Sequence, residues 1–228
     1  MNARTEVLDR IRRALADVPA GERPEDVPVP RDYSLGGMPP PGSSAAVDLL
    51  AERLGDYGAV VRRVAPDEVA GAVRQAVAAR GADCVVVPEG FPGPWRSALD
   101  PDRVLSDTPR LPVADLERTG GVVTTVASAI ASTGTLVLDG GAGQGRRALT
   151  LLPDYHLCIV RTEQVVASVP EALAGLDPTR PLTFVSGPSA TSDIELERVE
   201  GVHGPRTLEV LVVQGTSPPA SRAGAPGR

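Results

Sequence analysis

The sequence predicts an α/β sandwich, a mainly parallel sheet flanked by helices. Three observations carry that expectation. From Ala45 onward, helical and strand patterns alternate along the chain, and such alternation builds a sheet covered by helices. Runs such as Val85–Val87 are β-branched and apolar without a polar break, which suits strands buried on both faces, as in parallel sheets. The 228 residues are 42% hydrophobic and 23% charged, enough core for one large domain or one domain with an appendage.

Residues 3–18 open the chain as an amphipathic helix. Val7, Leu8, Ile11, Leu15 and Val18 fall on one face, and Arg4, Asp9, Arg12, Arg13 and Asp17 fall elsewhere. Residues 19–44 follow with a Pro and Gly density that forbids regular structure. This segment is either a linker or an extended arm wrapping the domain or a partner. A helix on such a tether has its own apolar stripe to bury, so residues 1–18 are a candidate homo-oligomer contact.

The α/β domain takes residues 45–215. A helix over 45–58 leads to a strand at 59–64. A second helix covers 66–81, with Pro66 and Asp67 at its start and Gly81 at its stop. Strands follow at 83–88, 121–126, 134–139, 156–161, 182–187 and 207–213. Helical stretches are expected at 127–132, 146–152 and 168–176. Residues 216–228 read as a disordered tail.

The charge balance bears on function. A net charge of −6 and no dense Lys/Arg block argue against nucleic acid, which demands phosphate neutralisation. Cys84 and Cys158 are far apart and sit in apolar runs, so they read as buried reduced thiols. Two thiols cannot supply the roughly four thiolates of an iron–sulfur cluster, and no zinc-type spacing of Cys and His occurs. No cofactor is expected on this chain. The first residues lack an apolar signal core and no long apolar run follows, so a cytoplasmic chain without membrane insertion is expected.

Ligands of open parallel sheets sit at the carboxyl ends of strands. Three Gly-rich turns flank strands here: Ser132–Thr135, Gly140–Arg147 and Gly187–Asp193. The second, GGAGQGRR, nearly matches two nucleotide motifs. A dinucleotide fingerprint needs Gly where Arg146 stands, and a phosphate-binding P-loop needs Lys and Ser/Thr where Arg146 and Arg147 stand. Mobile backbone amides and two guanidiniums make it an anion-friendly lip instead. In the first turn, Thr133, Gly134 and Thr135 either shape a simple turn or bring amides and hydroxyls to an anion.

The densest collection of polar groups is Gly187–Arg206. Gly187 permits close backbone approach and Pro188 fixes the turn. Ser189, Thr191 and Ser192 are small donors, and Asp193 and Glu195 are acids two apart. His203 is either a general base or a hydrogen-bond donor to a carboxylate. After Gly204, Arg206 either clamps an anion or pairs within the fold. His156, at the start of a strand, reads as a structural hydrogen-bonding residue.

The segments ASTGTLVLDGG, RRALTLLPDYHLCIV, SGPSATSDIELERVEGVHGPR and LEVLVV resemble, in order and spacing, the LUD domain family, over about residues 45–213. Within it the resemblance is to the lactate-utilisation C group. It implies a fold like that of the glucosamine-phosphate deaminase, ribose-phosphate isomerase and CoA-transferase superfamily. It also implies a role with two cysteine-rich iron–sulfur partner proteins in oxidising L-lactate to pyruvate. Two departures stand out. Many members carry an acid before TGT where this chain has Ser132, and many carry Arg where it has Ala190. If that arginine binds ligand, the task here falls to Arg206 or Arg147, or is lost.

The resulting expectation is a non-redox subunit that binds a small carboxylate or phosphorylated ligand. Thr135 and Ser189 would donate, Arg206 would pair the anion, and Glu195 or His203 would handle any proton transfer. The alternatives are an autonomous CoA transferase, isomerase or ligase acting through Glu195, and a structural adaptor without a ligand.

Overall fold

The computed structural model describes residues 2–19, 21–30, 32, 39–191, 199–200 and 204–215. The chain divides into two units, one ending at residue 34 and one beginning at residue 35. In the first, helix α1 spans Ala3–Ala14, and Asn2 caps it by accepting from Arg4 N at 2.8 Å. It stops a turn short of the expected residue 18, because Pro19 disfavours helical geometry in the residue before it. Val7, Ile11 and Leu15 are all exposed.

The second unit begins with α2 (Ser44–Asp56), capped by Ser43, and β1 (Val60–Val64). Then come α3 (Val69–Ala79), β2 (Val85–Val86), α4 (Gly93–Arg96), β3 (Val104–Leu105) and α5 (Val113–Glu117). Next are β4 (Gly121–Thr125), β5 (Ser128–Ile130), β6 (Thr135–Leu138), β7 (Tyr155–Arg161) and β8 (Val165–Val166). The unit closes with α6 (Val169–Ala174), β9 (Thr183–Val185), β10 (Ala190–Thr191), β11 (Val199–Glu200) and β12 (Thr207–Val213).

Six strands form an all-parallel sheet in the order β1-β12-β7-β4-β2-β3. Its long central strands are the most apolar runs of the chain, and they alternate. Leu157 and Ile159 of β7 pack with Val69 and Val73 of α3 on one face. Cys158 and Val160 pack with Leu50 and Leu54 of α2 on the other. The expected mainly parallel sheet flanked by helices is therefore present.

A second sheet shares the α2 face, in the order β8-β5-β6-β9, with β5–β6 and β6–β9 antiparallel. The sequence reading counted two of its members, β6 and β9, among the strands of one mainly parallel sheet. It also expected a helix over 127–132, and this is corrected: Ser128–Ile130 is strand β5. Ala129 pairs with Leu136 on one side and Val165 on the other, so tertiary pairing overrides the helical preference of an alanine-rich stretch. At 146–152 the helical segment is a short 3₁₀ turn, Arg147–Thr150.

Candidate functional site

The hairpin turn between β5 and β6 and the loop after β9 are tied by hydroxyls. Thr135 Oγ1 lies 2.7 Å from Thr133 Oγ1 and 2.8 Å from Ser186 Oγ. Two glycines let these loops press on the C-terminal end of α2. Gly134 (φ +58°) would place a Cβ 2.8 Å from the Arg53 backbone, and Gly187 (φ +88°) would place one 2.4 Å from Tyr57 Cβ. The close backbone approach expected at Gly187 is thus an approach to a helix.

Beyond Pro188 the chain meets the loop that precedes β12. Ser189 N donates to Pro205 O at 2.8 Å, and Gly204 stacks on Ser189. The backbones of Ala190 and Thr191 pair antiparallel with Glu200 and Val199. Asp193, Glu195 and His203 lie outside the described residues. Arg206 grips Asp154 with both arms, Nε to Oδ1 at 2.7 Å and Nη2 to Oδ2 at 2.9 Å. That hydrogen bonding holds the Asp154 carboxyl below the usual carboxylate range.

Between these loops and the 3₁₀ turn lies a cavity of about 200 Å³, whose wall includes Arg147, Thr150, His156, Ser186, Ser189 and Ala190. Arg147 Nη1 donates to Thr150 Oγ1 at 3.2 Å, and no carboxylate among the described residues pairs with it. Ala190, where the resemblance implies an arginine, lines this same cavity. The cavity sits beside the first residues of β7 and β12, at the amino ends of parallel strands. The carboxyl-end expectation fails here because the Gly204–Arg206 loop precedes its strand, and β6 and β9 belong to the antiparallel sheet.

His156 is buried on the α2 face, with Nε2 2.7 Å from Thr124 Oγ1. Thr124 Oγ1 in turn donates to Cys158 Sγ at 3.7 Å. Burial, aided by the Arg147 charge, pushes the imidazole down to about 4, so the ring is neutral at pH 7. Burial pushes the Cys158 thiol up to about 12, which leaves it protonated and unreactive. The structural hydrogen bond expected of His156 is present. Its place on the cavity wall beside Arg147 was not legible, since nothing in a nine-residue separation signals the encounter.

Arg146 turns the opposite way. Nε and Nη2 bind Asp107 Oδ2 and Oδ1 at 2.7 and 3.0 Å, and Nη2 also donates to Leu111 O at 2.8 Å. The guanidinium holds the Asp107 carboxyl below its usual range. A second, more open cavity of about 780 Å³ lies here, lined by Glu89, Asp107, Arg110, Gly140, Gly141 and Arg146. This one does sit past the carboxyl ends of β2 and β3, and Gly143 N bonds Glu89 O at 2.8 Å. The two adjacent arginines thus serve different cavities, and the single lip read from the sequence is divided.

Residues 116–213, from α5 through β12, match the family model of the LUD domain. A lactate utilization protein C of Deinococcus radiodurans is 46% identical over 217 residues, covering 92% of this chain and 95% of that protein. A lactate utilization protein C of Geobacillus kaustophilus is 33% identical over 167 residues, covering 64% and 69%. A crystal structure of a DUF162 family protein from D. radiodurans aligns with a TM-score of 0.62 at 40% identity, covering 74% of this chain and 96% of that one.

Proposed function

Because the chain belongs to the LUD domain family, we propose that it serves lactate utilisation as a non-redox subunit that binds a small anion beside Arg147. The observation that carries this reading is the cavity between the Ser186–Ala190 loop and the 3₁₀ turn. Arg147, the one guanidinium among the described residues of its wall, has no carboxylate partner among them, whereas Arg146 and Arg206 are each held by an aspartate. A guanidinium near hydroxyls in a small cavity suits a carboxylate or a phosphoryl group. The names of the relatives favour the carboxylate of lactate.

Electrons removed from L-lactate would pass to other chains. Two cysteines, one of them a buried, protonated thiol, cannot hold an iron–sulfur cluster. The resemblance to the lactate-utilisation C group implies two cysteine-rich iron–sulfur proteins as the partners. Among the described residues no helix is long and apolar enough to cross a membrane, which is compatible with a cytoplasmic assembly.

Calorimetric titration of the full chain with L-lactate, pyruvate, coenzyme A and nucleotides tests the ligand. The expected result is binding of a short carboxylate that Arg147→Ala weakens at least tenfold. Binding unchanged in that variant would sink the reading. A pulldown from native cells tests the partners, with two iron–sulfur proteins expected.

An adaptor without a ligand is the second reading, favoured by the exposed apolar stripe of α1. It requires that deletion of residues 1–44 abolish assembly with partners while Arg147→Ala leaves function intact.

A further inference from the structure

A third cavity lies on the α3 face of the six-stranded sheet. Helix α3 ends at Ala79, and the chain turns through Gly81 (φ +63°) toward β2. After α4 it returns through Leu99 and a 3₁₀ turn at Pro101–Arg103 into β3, the edge strand of that sheet. Between the two passages is a hollow of about 140 Å³. Its floor, Ala82, Val85 and Leu99, belongs to the buried core on that face. Val77 and Val104 also line it and are only partly buried. The space exists because α3 and its turn present small groups here, Ala78 and Gly81. A Cβ at Gly81 would meet no atom within 4 Å.

Charge gathers at the same hollow. Arg74 and Arg103 line it, with Asp100 the one acid among its described residues. Arg103 Nε comes only within 3.7 Å of Asp100 Oδ2, too far for a hydrogen bond. Arg74 is exposed and makes no hydrogen bond or ion pair with any described residue. One guanidinium charge is thus left over beside an aliphatic floor. Water gains little in an aliphatic hollow, and an engineered one of about 150 Å³ in another protein stays dry and takes up benzene. A guanidinium beside it suits a carboxylate. A nucleotide exceeds the space, and the hydroxyl of a short hydroxy acid finds no partner on the aliphatic floor. We propose that this hollow is a second ligand site, for monocarboxylates with a compact apolar body of about six carbons. The body covers Val77, Leu99 and Val104 while Arg74 pairs the carboxylate. Its occupant ties α3 to the edge strand β3, and the cavity beside Arg147 takes no part.

The test is calorimetry on the full chain at pH 7.5 with hexanoate, benzoate, acetate and hexanol. Hexanoate and benzoate are expected to bind at least tenfold more tightly than acetate, which lacks the apolar body. Hexanoate should also bind at least tenfold more tightly than hexanol, which lacks the charge. Arg74→Ala should weaken hexanoate at least tenfold and leave hexanol unchanged. Ala78→Leu, which fills the hollow from an exposed helical position, should abolish the binding of both. A further measurement needs no substitution. In ¹³C-valine-labelled wild-type protein, the Val77 and Val104 methyl resonances should move on adding hexanoate and stay put on adding acetate. Equal affinity for hexanoate and acetate, hexanoate binding untouched by Ala78→Leu, unmoved methyl resonances, or no binding of hexanoate and benzoate each overturns the proposal. Hexanoate binding that is lost in Arg147→Ala and kept in Arg74→Ala places the acid in the other cavity and overturns it as well.

Discussion

A histidine with 1% exposure is kept neutral by its own burial, and that has a cost in acid. In the unfolded chain the ring titrates near its ordinary 6.5; in the folded chain it titrates at about 4. Between those values the unfolded state holds more protons. Stability is therefore full above pH 6.5 and is lost as pH falls from 6.5 toward 4. From pH 7 to pH 5 this one group should cost about 2 kcal/mol. Urea unfolding at the two pH values checks it: His156→Leu should lose less stability over the interval than wild type, by about that amount. The residue type and its strand-start position were visible in the sequence. Cys158 is two residues along the same strand, but Thr124, which completes the chain of contacts, sits 32 residues away in sequence and meets His156 only through the parallel pairing of β4 with β7.

At the level of elements, the C-terminal end of α2 is the anvil on which two site loops are shaped. Gly134 and Gly187 have positive φ, and each would drive a Cβ into Arg53 or Tyr57. Gly134→Ala and Gly187→Ala should each cost about 2–3 kcal/mol from left-handed strain plus overpacking. Gly71, inside α3, has nothing within 4 Å of its Cβ position, so Gly71→Ala should stabilise by about 0.5–1 kcal/mol. Urea midpoints of the three variants should fall on opposite sides of wild type. The sequence marked both site glycines as special but not what they press against. Strands β7 and β12 were legible nearly to the residue, because a continuous apolar run buried on both faces leaves no ambiguity. Strand β5 was not. Its alanines favour helix on their own, and its identity as a strand comes from β6 and β8.

On the scale of the whole molecule, one loop feeds two cavities. Residues 140–147 lie past the carboxyl ends of β2 and β3, then enter the 3₁₀ turn that faces the amino ends of β7 and β12. Adjacent arginines therefore part, and no sequence motif could separate them, because Arg146 is drawn away by Asp107 and Leu111, 39 and 35 residues before it. The separation predicts that stability and binding dissociate between neighbours. Arg146 joins the loop after β6 to the segment after β3 through Asp107 and the Leu111 carbonyl. Arg146→Ala leaves a partly buried carboxylate and a carbonyl without their donor, which should cost about 2 kcal/mol. Arg147 is exposed and makes one hydrogen bond among the described residues, so Arg147→Ala should cost under about 0.5 kcal/mol. Binding should run the other way, with L-lactate affinity kept within about twofold in Arg146→Ala and weakened at least about tenfold in Arg147→Ala, since an ion pair to a carboxylate contributes on the order of 1.5–3 kcal/mol. Denaturation and calorimetry on the same two preparations decide it. Loss of binding in both variants would show that the two cavities act as one site joined through the loop, and loss of stability in both would make the second guanidinium a structural group like the first.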